Sequence, residues 1–169
     1  MTDKISIDTY KPGKSIESVK KQYKLSNVIK LASNENPFGP SSKAIIEVRK
    51  KLNQTNRYPE SDPINLKQKI QLHLKNNRIS TKNIIVGNGS NEILEFISRA
   101  YLSKNIEVIF SKHSFIVYKI ISNCMNAKII ETKPIYDKNN QYLGTDLSEI
   151  LRKITKKTKV IFIANPNNP

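Results

Sequence analysis

From Ser42 onward the chain alternates stretches with a helical period of about 3.6 residues and short apolar runs, and this alternation constrains the fold more than any single residue. Ala44, Ile45, Val48 and Leu52 fall on one helical face behind the Ser41-Ser42 cap. Leu66, Ile70 and Leu74 fall on another behind Pro63, a residue suited to a helix start. Asn83–Gly87 reads as a short apolar strand, followed by a tight turn and a helix whose inner face is Ile93, Leu94, Ile97 and Tyr101. Next come a strand at Glu107–Phe110, a helix from Ser114 to Cys124 and a strand at Lys128–Glu131. Asp137–Gln141 reads as a polar loop. Thr145 or Asp146 then caps a helix facing inward through Leu147, Ile150, Leu151 and Ile154, and Lys159–Ile163 is a buried strand. Strands separated by helices predict an α/β fold with a mostly parallel sheet. The residues before Ser42 read as an irregular arm, so the expected division is 1–41 and 42–169.

Composition narrows the functional classes. A chain of 169 residues can bury about two-thirds of its unfolded surface, enough for one substantial core. No run of about eighteen apolar residues and no signal-type start is present, so a soluble, cytoplasmic, non-membrane protein is expected. One cysteine, Cys124, and two histidines supply neither an internal disulfide nor a tetrahedral zinc set, and Cys124 reads as a small apolar helix residue. A net charge of +15 raises the alternative of a nucleic-acid-binding domain. Against it, the lysines are spread over the whole length and arginine, the bidentate reader of phosphate and guanine, is scarce. The charge reads as solvated faces, with no specific nucleic-acid partner.

In open α/β sheets, ligands sit outside the carboxyl ends of the strands. Two candidate segments fall there. Gly87-Asn-Gly-Ser-Asn-Glu92 combines glycines, which permit a sharp turn, with the exposed amides of a helix N-terminus, an arrangement that favours a bound anion. By itself it is equally good turn-and-cap chemistry with no ligand. Asn165-Pro-Asn-Asn-Pro169 follows the last strand.

Five segments taken together carry more information. Tyr10-Lys-Pro-Gly-Lys14, Leu31-Ala-Ser-Asn-Glu-Asn-Pro-Phe-Gly39, Arg57-Tyr-Pro-Glu60, Gly87–Glu92 with Ser111-Lys-His-Ser-Phe-Ile-Val-Tyr118, and Ile161–Pro169 resemble, in order and spacing, the histidinol-phosphate branch of the fold-type I pyridoxal-phosphate (PLP) aminotransferases. The resemblance implies transamination of L-histidinol phosphate with 2-oxoglutarate by a cytoplasmic homodimer using pyridoxal 5'-phosphate. It places the cofactor's phosphate on the backbone amides of Gly89, Ser90 and Asn91, and a ring stacked on the pyridine at Phe115, where core packing is the alternative. Asn168 matches an amide donor to the cofactor's phenolic oxygen. Tyr58 matches a tyrosine reaching the phosphate of the neighbouring subunit, and Tyr10, Asn34 and Asn36 belong to an arm that closes over substrate.

The same resemblance implies that the chain is an N-terminal part. Residues 1–41 would be arm and small-domain segment, and 42–169 the beginning of a large domain with a mostly parallel sheet. The Schiff-base lysine, the acidic partner of the pyridine nitrogen and the carboxylate-binding arginine are expected beyond Pro169, which leaves no catalytic residue in the chain and predicts inactivity for it alone. Lys112 lacks the context of the family's lysine motif. Other readings are a related PLP enzyme such as threonine-phosphate decarboxylase or another class I/II aminotransferase, and a non-catalytic remnant of an interrupted gene.

Overall fold

The computed structural model describes residues 13–76 and 78–168, in two compact units divided between Thr81 and Lys82. This dividing point lies well past the expected end of the arm at residue 41, because the two helices after Ser42 group with the segment before them.

The unit after Lys82 holds the core. It runs α4 (Ser90–Tyr101), β1 (Glu107–Ser111), α5 (Ile116–Cys124), β2 (Lys128–Thr132), β3 (Pro134–Tyr136), β4 (Tyr142–Thr145), α6 (Leu147–Lys153) and β5 (Thr158–Phe162). Strands β1, β2 and β5 form a parallel sheet in the order β2-β1-β5, with Val108 opposite Ile129 and Phe110 opposite Phe162. The central strand β1 is buried throughout, which explains why Val108, Ile109 and Phe110 form one unbroken apolar run. Tyr118 of α5 ties the layers together, stacked on Phe162 with ring centroids 4.6 Å apart. Leu94 and Ile97 of α4 pack on the same cluster, whereas Tyr101 is mostly exposed and Ser98 takes the buried place on that helix.

Two local expectations need correction, and the polar loop between them gains flanking strands. Residues 84–87 form no strand; a short 3-10 turn at Thr81–Asn83 and irregular backbone lead into α4. A strand exists through its ladder partners, and these residues have no neighbour in the β2-β1-β5 sheet. The polar loop at Asp137–Gln141 is the turn of an antiparallel hairpin, β3-β4, in which the Asp137 carboxylate accepts the backbone N–H groups of Asn139 and Gln141 at 2.9 and 2.7 Å. Finally, α6 is capped by Asp146, whose side chain accepts the Glu149 N–H at 2.9 Å, but only Ile150 is buried. Leu147, Leu151 and Ile154 are exposed.

The unit before Lys82 contains α1 (Ile16–Tyr23), α2 (Ser42–Lys51), continued by a 3-10 turn to Gln54, and α3 (Ile64–Leu74). Helix α1 lies within what the sequence presents as irregular arm; Ser15 caps it by accepting the Ser18 N–H at 3.1 Å. None of these three helices contains a buried residue, and Ile45, Ile46, Val48 and Leu52 stand exposed on α2 and its continuation.

Candidate cofactor site

The turn into α4 is built by two glycines for different reasons. At Gly87 a β-carbon would come within 2.8 Å of Ile93 Cδ1 and 2.9 Å of Glu92 Oε2, so close approach excludes a side chain unless both neighbours move. Gly89 is the helix N-cap at φ 80° and ψ 176°, a conformation open to glycine and little else, and the space around its missing β-carbon is empty. The Gly89 N–H donates to the Gly87 carbonyl at 2.9 Å, and Glu92 folds back to accept the Asn88 backbone N–H at 2.6 Å. Glu92 is thereby the residue that pins the turn. A glutamate at the third helical position is the signal in the sequence that reveals this role. Gly89, Ser90 and Asn91 are exposed, with the first-turn amides of a twelve-residue helix and no capping side chain at its start.

The loops after β1 and β5 lie side by side, because the two strands are parallel neighbours with Phe110 opposite Phe162. Phe115 ends the first loop as the residue preceding α5. It is half-buried and meets Tyr118 edge-on, ring centroids 5.9 Å apart at 87°, so the core-packing alternative is realised in part. Burial of Tyr118 pushes its phenol above the usual tyrosine range. The second loop carries Asn167 and Asn168. Asn168 is exposed, and Asn167 Nδ2 donates to the His113 carbonyl at 2.8 Å, joining the two loops. Asn167 has a contact role that the sequence does not single out, because its partner lies 54 positions away.

Tyr58, Asn34 and Asn36 lie in the other unit. Tyr58 is fully exposed. Asn36 serves its own turn, donating from Nδ2 to the Gly39 carbonyl and accepting the Phe38 N–H, each at 3.1 Å. Asn34 is exposed beside Glu35, which pairs with Lys30 at 2.8 Å. Tyr10 falls outside the described residues. Cys124, expected as an apolar filler, is exposed at the end of α5. Among the described residues no helix is long and apolar enough to cross a membrane, and no cluster of three metal-ligating side chains occurs.

Residues 26–169 match the family model for aminotransferase class I and II. The chain belongs to that family. Aminotransferases similar to it include histidinol-phosphate aminotransferase 1 of Mannheimia succiniciproducens, 42% identical over 164 residues, and histidinol-phosphate aminotransferase 2 of Pasteurella multocida, 40% identical over 160 residues. These alignments take in 97% and 95% of this chain but 42% and 41% of those proteins. The chain therefore spans about two-fifths of the length of the curated relatives it matches. Among solved aminotransferases, the histidinol-phosphate aminotransferase from Sinorhizobium meliloti in complex with pyridoxal-5'-phosphate superposes with a TM-score of 0.77 at 21% identity, covering 94% of this chain and 41% of that one. An Escherichia coli aminotransferase superposes with a TM-score of 0.72 at 23% identity over 90% of this chain. The fold is that of the fold-type I aminotransferases.

Proposed function

We propose that the protein is a PLP-dependent aminotransferase that exchanges the amino group of L-histidinol phosphate with 2-oxoglutarate, acting as a cytoplasmic homodimer in histidine biosynthesis. The observation that carries this reading is the 42% identity, over 97% of the chain, to a histidinol-phosphate aminotransferase. In this reading residues 1–41 are the arm and small-domain segment and 42–169 belong to the large domain.

The residues present fit the cofactor. The φ 80° turn at Gly89 and the empty space beside it leave room for a phosphate against the amides of Gly89, Ser90 and Asn91. When bound, PLP supplies an electron sink for the carbon that carries the transferred amino group. The α4 N-terminus would hold its phosphate, adding about 0.3 to 1 kcal/mol of dipole attraction where exposed. Phe115 would cover one face of the ring, while Asn168 would donate a hydrogen bond to the phenolic oxygen without adding charge. Tyr58, standing fully exposed, suits a contact with the neighbouring subunit's phosphate. Tyr10, Asn34 and Asn36 would line the substrate side. No lysine of the 169 residues is assigned the covalent role, and neither a membrane nor a specific nucleic acid is a partner.

The test is an assay of the full-length, PLP-loaded protein with L-histidinol phosphate and 2-oxoglutarate, in parallel with threonine phosphate. Glutamate formation with the first substrate is expected. No turnover of histidinol phosphate would overturn the substrate assignment, and decarboxylation of threonine phosphate would replace it.

A further inference from the structure

The loop after β1 bends through His113, which sits at φ 64°, a left-handed conformation uncommon for residues with a β-carbon. From within its own segment the loop is held by the Ser114 N–H donating to the Ser111 carbonyl at 3.2 Å, and from β2 by the Lys112 N–H donating to the Thr132 carbonyl at 2.7 Å. From the β5 side it is held by Asn167, whose Nδ2 reaches the His113 carbonyl at 2.8 Å across 54 positions of sequence. The Oδ1 of the same amide is buried and meets no donor among the described residues. The His113 carbonyl can only accept, so the Nδ2 donor must face it, and this fixes which way the amide is turned. Only a short side chain with an N–H donor serves here: an aspartate would set a carboxylate oxygen against the His113 carbonyl.

The two loops joined by this bond carry the two residues proposed to hold the cofactor ring. Phe115 lies two positions after His113, and Asn168 directly follows Asn167. We propose that Asn167 is a positioning residue which, through the His113 carbonyl, sets the spacing between the Phe115 ring and the Asn168 amide, so that both meet one bound pyridine ring. The inference rests on the functional reading above and adds a residue to it.

The experiment uses the full-length protein and its Asn167→Asp, Asn167→Ala and Asn167→His variants. Aspartate keeps the shape and removes the donor, whereas the Nδ1–H of histidine can replace it. In cofactor-free protein, amide hydrogen exchange over residues 111–116 should quicken by about 3- to 10-fold in the Asp and Ala variants, the size expected for one lost hydrogen bond, and return toward wild type with histidine. PLP affinity from absorbance titration should fall by a similar factor in Asp and Ala, with a changed visible spectrum of the bound cofactor and an unchanged far-ultraviolet circular dichroism spectrum. Unaltered exchange and an unaltered PLP spectrum in Asn167→Asp would overturn the proposal. Altered exchange with wild-type affinity and spectrum would overturn it too, since the bond would then serve the loop alone. Failure of the wild type to bind PLP would refute the functional reading instead, and the exchange measurement would still decide whether Asn167 holds the His113 loop.

Discussion

Two residues show how single side chains hold this structure, and each predicts a measurement. Glu107, at the start of β1, is buried and receives hydrogen bonds from Thr155 Oγ1 at 2.5 Å and Lys128 Nζ at 3.0 Å, which link the loop before β5 to the first residue of β2. The Thr155 bond, followed by the Lys128 bond, holds its carboxyl below the usual glutamate range. Because the folded value lies below the unfolded one, the stabilisation is complete above the usual range and is lost as pH falls through the lowered value. Glu107→Gln in the full-length protein should therefore lower the urea midpoint at neutral pH, and the gap to wild type should close in acid. A gap that stays constant from pH 7 to pH 3 would contradict this. Gly89 is the second case. Any side chain there must adopt a conformation that costs about 1 to 3 kcal/mol, so Gly89→Ala should destabilise by that amount in urea unfolding and weaken PLP binding together. Wild-type stability in that variant would mean that the turn relaxes at no cost.

At the scale of elements, the sequence discloses structure that is decided locally and conceals structure that is decided by neighbours. Strands β1, β2 and β5 and helices α4, α5 and α6 are legible because their apolar periods are written within each segment. Residues 84–87 carry an equally apolar pattern, but a strand needs a partner for its N–H and C=O groups, and no local pattern records whether one stands beside it. The β3-β4 hairpin is hidden for the opposite reason: its strands have three and four residues, too short to show a period, and only the turn between them has a recognisable composition. Helix α1 is short and rich in charge, which disguises it as arm. For the site, the glycine turn and the Phe115 loop are visible in sequence. The bond from Asn167 to His113 is not, since it depends on a sheet order that brings β1 against β5.

At the scale of the whole molecule, burial is uneven. Every fully buried side chain among the described residues lies between Ser98 and Phe162, while Ile29, Leu31, Phe38 and Leu72 in the other unit are each more than three-quarters exposed. Helices that bury no residue gain little stability from propensity alone. The 169-residue polypeptide made by itself should accordingly aggregate or unfold over a broad range, bind a hydrophobic dye, and show no single lysine labelled after PLP and borohydride treatment. A monodisperse sample with a sharp cooperative melt, or stoichiometric labelling of Lys112, would contradict this. The same unevenness bears on biosynthesis. Ser98, the first buried residue described, lies beyond all three helices of the other unit, so those helices are synthesised before any part of this core. In that interval the net charge of +15, carried by lysines spread over the whole length, favours solubility through mutual repulsion of chains. A composition that looks at first like an invitation to nucleic acid thus suits a nascent chain whose apolar helices precede its core.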